Sequence, residues 1–365
     1  MLKSYVVPIE RLNKGKPIIA PKDNWWENGA ASNAAAFYLE RSGINDPIIK
    51  KLISPELRLD DPKLENGIVA VHYRGISKKV SGEQPSRSYL GLALFTPEVE
   101  LLKRYPEPVI LPSENPQGYD YLGVEDVRIT RIGDTFYALY CGFNGKDMRV
   151  CMATSKDLIS WKKLGLVKGD INSSNNKDAV LFPEKINGHY FLLHRPMIGK
   201  VSDFSIHLAM SNSPTGAWKN CGMILHSFEN PVCKNSWVGA GSVPISLGSK
   251  RYLVIYHTGN WLNSSKREYD MDAAIFNFQN FSPDNPAGIV EKRLEHLMVP
   301  ETDYEKNSSM SIDIVFPEGS YEYRGEIYII YGAGDIYVSA AKVNKKIFLE
   351  YLEKSSNSNP FVERF

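Results

Sequence analysis

One local pattern recurs five times along this 365-residue chain: a tight polar turn, a run of alternating aromatic and aliphatic residues, and an abrupt polar or charged stop. It runs from Glu65 through Ile68–Arg74, from Gly133 through Thr135–Tyr140, and from Asn187 through His189–Arg195. Two later copies run from Gly248 through Tyr252–His257 and from Arg324 through Ile327–Asp335. Short β-branched and aromatic runs entered through Asn- and Gly-containing turns read as hairpin strands.

A second element follows two of these strands. Ala153–Trp161 is echoed by Ala209–Trp218, each a strand end, a Ser-rich turn and a tryptophan at the start of an outer strand. A unit repeated at roughly 50 to 60 residues is what a four-stranded propeller blade requires. The expectation is an all-β chain, a five-bladed β-propeller with a short C-terminal helix. Helical periodicity is nearly absent until Lys345–Glu353, and Ala34–Leu39 is too short to decide. Lys163–Lys177 and Trp261–Asp270, rich in Asn, Ser, Gly and charge, read as surface loops. One catalytic propeller domain is expected over residues 1–345, with helix and tail over 346–365.

Composition removes several function classes. The 43 basic and 42 acidic side chains leave a net charge of +1, which excludes the basic surface of a nucleic-acid binder. Met1–Arg11 lacks the apolar core of a secretory signal, and no apolar run approaches the ~20 residues of a membrane span. A cytoplasmic location is expected, or a periplasmic one if a signal was removed. Cys141, Cys151, Cys221 and Cys233 are scattered and form no CxxC pair, so they read as buried thiols, with no metal or cofactor implied.

In a propeller, polar residues at one end of the strands converge on a single funnel. The candidates are Arg74, His194, Arg195, His257 and Asp335, joined by Glu125, Asp126 and Arg128 in the run Gly123–Thr130. Adjacent carboxylates with an arginine cost free energy unless partners or a ligand satisfy them. Such a set suits a polyhydroxylated ligand; alternatively it is a structural ion network pinning the blades together. Trp25, Trp26, Trp237 and Trp261 fall on expected loops, where they could stack on sugar rings or anchor adjacent blades.

At these residues the sequence resembles glycoside hydrolase family 130, the mannoside phosphorylases and mannosidases. The matching pieces are Ser32–Ala36, Tyr73-Arg74, Ser88–Ala93, Gly123–Thr130, Lys177–Gly188, His194–Pro196, Gly239–Gly241, Ile255–His257, Val315–Gly319 and Tyr331–Asp335, in the family's order. The resemblance implies an inverting enzyme on β-mannosides with Asp126 as general acid, its proton passing through a hydroxyl of the bound mannose. It implies that Asn33, Arg74, Ser88 and Asp335 hold the sugar; Glu125, Arg128, Asp178, His194, Arg195, Trp237 and His257 are the further candidates for contact with the substrate. Val127 stands where the family motif carries proline.

The phosphorylase branch needs several cations to draw a dianion into the funnel. Lys177 keeps a charge where family phosphorylases use arginine, Arg195 matches a second arginine, and Trp237 stands where they carry a lysine. The missing cation favours hydrolysis, as in the mannosidase branch with its β-1,2-linked substrates. Hydrolysis with inversion needs a base about 6.5 to 9.5 Å from the acid. Glu268 and then Glu229 are the candidates, each otherwise an ordinary solvated loop carboxylate; Glu184 is disfavoured because its motif also occurs in phosphorylases. The alternatives are a phosphorylase gripping phosphate with Lys177, Arg195 and His257, and a non-catalytic sugar-binding propeller. The expected partner is a β-mannoside oligosaccharide or mannosylated glycan, with no nucleic acid and no membrane; a homo-oligomer is compatible with this.

Overall fold

The computed structural model describes residues 7–79, 85–227 and 235–355. After a two-residue strand, β1 (Glu10–Arg11), the chain lays down five antiparallel units in order. The first is β2 (Ala30–Leu39), β3 (Ile68–Ile76), β4 (Ser88–Phe95) and β5 (Leu101–Arg104), with helix α1 (Asp46–Ile53) between β2 and β3. The second is β6 (Gly123–Ile132), β7 (Thr135–Phe143), β8 (Met148–Ser155) and β9 (Lys162–Leu166). The third is β10 (Asn176–Leu181), β11 (Tyr190–Pro196), β12 (Ile206–Ser211) and β13 (Lys219–Leu225). The fourth is β14 (Ser236–Ala240), β15 (Ile245–Gly248), β16 (Arg251–Trp261), β17 (Arg267–Asn277) and β18 (Val290–Met298), where β14 and β15 both pair with β16. Strand β19 (Lys306–Asn307) leads into the fifth, β20 (Ile312–Tyr323), β21 (Glu326–Ala333) and β22 (Tyr337–Asn344), followed by helix α2 (Lys345–Lys354). The fifth unit takes its outer strand from the far end of the chain, because β1 pairs antiparallel with β22 at Glu10↔Lys342 and Arg11↔Ala341.

The five strands expected from the sequence are the second strands of the five units: β3, β7, β11, β16 and β21. Their turns have the chemistry that hairpins demand. Asn187 and Gly188 both have positive φ, +51° and +84°, the twist of a two-residue turn that matches the flanking strands. The two Ser-to-Trp connectors lie between third and fourth strands, with Trp161 just ahead of β9 and Trp218 just ahead of β13.

The core is divided into apolar layers between successive units. Leu90, Leu92 and Val127 join the first unit to the second; Leu139, Leu181 and Leu192 join the second to the third. Val180, Leu208 and Val254 join the third to the fourth; Leu253, Ile275 and Ile329 join the fourth to the fifth. Val71, Tyr73, Tyr321 and Ile330 then join the fifth back to the first. Strands sandwiched in this way are buried on both faces, which is why β3 reads as a nearly continuous apolar run. A third link recurs: β4 meets β6 in parallel at Ser88↔Gly123, and β17 meets β20 in parallel over Arg267–Tyr269.

Several expectations are corrected. Trp261–Asp270 is loop only over residues 262–266: β16 and β17 pair without interruption from Arg251↔Asn277 to Trp261↔Arg267, so Trp261 and Glu268 are strand residues. Trp237 is likewise in β14. The Lys163–Lys177 segment is loop only between β9 and β10. Ala34–Leu39 belongs to β2, and α1 is a helix the periodicity did not announce, since eight residues with Pro47 at the start give barely two turns of signal. Helix α2 begins at Lys345 as expected, with the Asn344 side chain accepting from the Ile347 N–H as its cap. Cys141 and Cys151 are buried free thiols and Cys221 is half-buried; Cys233 and Glu229 lie outside the described residues.

Candidate active site

The site is built from a repeated irregularity. In four of the five units the first strand slips register against the second: between Ser32 and Ala34, Glu125 and Arg128, Lys177 and Val180, and Pro317 and Gly319. The bulged residues are Asn33, Asp126, Asp178 and Glu318, and the first three have positive φ of +46°, +52° and +55°. A bulge re-aims a side chain out of the strand's alternation. Left-handed backbone at a non-glycine residue costs about 1 kcal/mol or more, least for Asn and Asp, so three such residues in matching positions mark a site rather than an accident.

The re-aimed groups meet around Asp126, which is 3% exposed. Asn33 Nδ2 donates to Asp126 Oδ1 at 2.8 Å, and Arg74 Nη1 approaches the same oxygen at 3.4 Å. Lys177 Nζ donates to Asp126 Oδ2 at 2.8 Å. Arg74 also reaches Glu125 Oε1 at 2.5 Å and Ser88 Oγ at 2.9 Å, and Ser88 Oγ donates to Glu125 at 3.2 Å. Burial alone would push the Asp126 carboxyl up, but Lys177, Arg74 and Arg128 overrule it and hold it well below the usual carboxylate range. Glu125 goes the other way, raised by burial and by the Asp126 charge against the pull of Arg74.

Asp178 forms a second centre beside the first. Its Oδ2 lies 3.1 Å from Arg195 Nε and 3.5 Å from His257 Nε2, and its Oδ1 is 3.9 Å from both Lys177 Nζ and Arg128 Nη1. Burial opposes its charge, but Arg195 and Lys177, with Arg128 behind them, keep the carboxyl ionised. His257 is driven well below its ordinary value by burial and stays neutral, with Arg195 Nη1 on its Nε2 at 3.3 Å. Its ring stacks near Phe316 at 4.2 Å, and Tyr269 bridges His257 to Trp237, whose indole stands edge-on at 5.4 Å.

The other expected residues fall into distinct places. Asp335 is half-buried in the turn after β21, near enough to Arg74 to raise the guanidinium's pKa. Arg128 is 1% exposed and spends its donors on the carbonyls of Asp126, Ala240 and Gly241 at 2.8, 2.9 and 3.0 Å, with Glu318 Oε1 at 3.2 Å. It fastens units two, four and five together behind the cluster. His194 is not brought to Asp126: it is fully buried, its Nδ1 2.8 Å from Asn176 Nδ2 and its ring against His207. Glu268 is 8% exposed rather than solvated. The uninterrupted β16–β17 register puts it in the row of Ser236, Asn260 and Asp313, on the opposite face of β17 from Tyr269. Trp26 is buried with its indole N–H on the Pro106 carbonyl, and the exposed Trp25 donates to Glu107. Trp237 is 4% exposed.

Sequence reasoning missed the residues that make room. A Cβ on Gly332 would lie 2.1 Å from Asn33 Oδ1, and one on Gly239 would lie 2.2 Å from Asp178 Oδ2 and 2.5 Å from the His257 ring. The two Gly-Ala-Gly motifs carried that signal. Glu318 was also missed, within the Val315–Gly319 motif; burial pushes its carboxyl well above the ordinary value, Arg128 opposing. Among the described residues, Ser32 Oγ and Asn33 Oδ1 are buried without a hydrogen-bond partner, the condition of polar atoms that await a ligand or water. No group of three metal-ligating side chains is found among the described residues.

A bulge-built cluster of carboxylates, cations and unsatisfied amide and hydroxyl oxygens has the chemistry to bind a polyhydroxylated ligand. The family model described as beta-1,4-mannooligosaccharide phosphorylase matches residues 78–354, and the chain belongs to glycoside hydrolase family 130. It is similar to a 1,2-beta-oligomannan phosphorylase of Thermoanaerobacter sp., 29% identical over 348 residues, covering 93% of this chain and 99% of the relative. A beta-1,2-mannobiose phosphorylase from the same organism is 29% identical over 91% of this chain and 96% of its own length. Among solved structures, the beta-1,2-mannobiose phosphorylase of Listeria innocua, in complex with beta-1,2-mannobiose, superposes with a TM-score of 0.72 at 22% identity, covering 94% of this chain and 99% of that one. A family 130 structure described with glycoside hydrolases that target beta-1,2 mannosidic linkages in Candida mannan gives 0.69 at 20% identity, covering 99% and 98%.

Proposed function

We propose that this protein is an inverting exo-β-mannosidase that hydrolyses β-1,2-linked or related mannosides, with Asp126 as general acid. Its scaffold is read as a five-bladed β-propeller over residues 1–345, ahead of the helix and tail at 346–365. The five antiparallel units, the apolar layer between each unit and the next, and the pairing of β1 with β22 support that architecture. Family membership and the relatives named for β-1,2-mannosides support the substrate class.

One observation carries the choice of water over phosphate. The cations available to an attacking dianion are already matched by carboxylates: Lys177 by Asp126 at 2.8 Å, and Arg195 by Asp178 at 3.1 Å. His257 is neutral and Trp237 adds no charge. A dianion entering this pocket would have to displace internal anions while losing its own hydration, a poor exchange in a buried site. The names of the curated relatives favour the second reading, a β-mannoside phosphorylase releasing mannose 1-phosphate.

Asp126 is ionised in the unliganded pocket, so the acid role requires the sugar to loosen its contact with Lys177 as it binds. The base that activates water is assigned to Glu268 or Glu229. The products decide between the two readings. β-1,2-Mannobiose incubated without phosphate yields two mannose molecules under the hydrolytic reading, at a rate phosphate does not raise. Strict dependence on phosphate, with mannose 1-phosphate as product, would refute it. Tight sugar binding with no turnover under either condition would favour the non-catalytic propeller.

A further inference from the structure

We infer that the cavity between Lys266, Lys306 and Asp313 is a second carbohydrate-binding site, which holds an uncleaved sugar unit of a longer β-mannoside away from the Asp126 centre. The inference rests on the mannoside reading and deepens it by giving the substrate a length; it is the same whether water or phosphate attacks.

Register sets the place. Glu268 of β17 pairs with Asp313 of β20, and Asp313 lies directly opposite Lys306 of β19, so the three side chains leave the sheet on one face. That is the face of β17 turned away from Tyr269, and so from the His257 ring that Tyr269 meets. Lys266 closes over it, its Nζ 2.7 Å from Oδ2 of an Asp313 that is 5% exposed. A cavity of about 550 Å³ opens there, bounded also by Asp303, Ser308 and Ser311. Small-molecule sites run from about 300 to 1,000 Å³, so a hexose ring fits with its water. None of these residues belongs to the pieces that carry the family resemblance, so the cleavage chemistry does not account for them.

The walls are fixed before a ligand arrives. Buried Asn307 accepts from Ser309 Oγ at 2.7 Å and from the Met310 N–H at 3.2 Å, while its Nδ2 donates to the Gly334 carbonyl at 3.0 Å. The Arg267 N–H donates to the Ser311 carbonyl at 3.1 Å and ties the same loop to β17. Preorganised walls lower the ordering cost of binding.

The lining chooses the ligand. Two lysines stand against two aspartates, so the cavity carries no net charge and an ionic ligand would leave one sign unmatched. Among the described residues, the side chains of Asp303, Lys306, Ser308 and Ser311 form no hydrogen bond or ion pair with the protein. They offer donors and acceptors side by side, and sugar hydroxyls both give and accept. The Asn307–Gly334 bond sets the cavity beside the turn that carries Asp335. In an exo-acting enzyme only the terminal sugar occupies the cleavage centre, so a unit held here belongs to the leaving-group side of the chain.

The test compares β-1,2-mannobiose with β-1,2-mannotetraose in the wild type, Lys306→Ala, Ser308→Ala and Lys306→Arg. Lys306 and Ser308 are exposed, so the variants keep the fold, which circular dichroism checks. The wild type is expected to show a KM for mannotetraose about 10-fold below that for mannobiose, the worth of one charge-assisted hydrogen bond. Lys306→Ala should lose that advantage, Ser308→Ala part of it, and Lys306→Arg should keep it. Values of kcat, and the KM for mannobiose, should stay where they are, because only uniform binding is removed. Crystals of Asp126→Asn soaked in mannotetraose should show a sugar ring against Lys306 and Ser311. A sugar at residue 126 with the cavity empty, alanine variants that keep the wild-type preference, or variants that raise KM for both lengths alike would each overturn the inference and leave the mannoside reading standing. A wild type that turns over neither mannoside would sink that reading and the inference together.

Discussion

Replacing Lys177 by methionine should move the alkaline limb of the pH–rate profile upward, and the size of the movement follows from the site. Lys177 Nζ is 2.8 Å from Asp126 Oδ2 and is the strongest single influence holding that buried carboxyl ionised. An opposite charge this close lowers a carboxyl pKa by about one to three units. Arg74, 3.4 Å from the other oxygen, and Arg128 remain in the variant, so the carboxyl does not return to the value burial alone would impose. A general acid must carry its proton, and kcat/KM falls as pH rises through its pKa in the free enzyme. Removing the lysine raises that pKa, so the descending limb of kcat/KM against pH should shift to higher pH by about one to three units. The assay is kcat/KM for β-1,2-mannobiose across the pH range in which the enzyme stays folded, wild type against Lys177→Met, with circular dichroism to confirm folding. A folded variant whose limb stays in place, or moves down, would refute the assignment of Lys177 as the group that tunes Asp126. A lower kcat/KM at every pH with an unmoved limb would mean that the lysine holds sugar and does not set the acid.

Other outcomes follow from the same geometry. Gly332→Ala should push Asn33 off Asp126, costing about 1 to 3 kcal/mol of stability and most of the turnover, because its Cβ would sit 2.1 Å from Asn33 Oδ1. Urea unfolding of Gly332→Ala, Asn33→Ala and the double variant should be non-additive, and strict additivity would show that the two residues do not meet. Protonation of buried histidines should work against the fold in acid, while the raised carboxyls of Asp272, Glu318 and Glu125 work in the opposite direction. Burial lowers His72 to about 4 and His194 to about 3 from 6.5, so both fold neutral. Because these folded values are depressed, the stabilisation is complete above pH 6.5 and is lost as pH falls toward the folded values, by about 2 kcal/mol for each histidine at pH 5. Between pH 7.5 and 5 the wild type should therefore lose about 2 kcal/mol more in urea unfolding than His72→Gln does, and equal losses would contradict this. If Glu268 activates water, Glu268→Gln should lower kcat about 100-fold or more with KM nearly unchanged, and Glu229→Gln should not; the reverse result would hand the role to Glu229.

What the sequence by itself determined is what local chemistry controls. Turn residues with positive φ and alternating or continuous apolar runs are properties of a few neighbouring residues, so β3, β7, β11, β16, β21 and α2 were readable in place. So were the Ser-to-Trp connectors and the motifs that carry Asp126, Asp178, Gly239 and Gly332. Tertiary structure alone decided who partners whom. Lys177 meets an acid 51 residues away, and Arg195 meets a histidine 62 residues away. No spacing along the chain announces that Asp178 would face Arg195 and His257, that Arg128 would be sealed behind the cluster, or that Glu268 would sit in a strand facing away from Tyr269. A charge feels whatever the packing brings within a few ångströms, in a medium whose polarity the packing also sets, and both quantities exist only once five units have closed on one another.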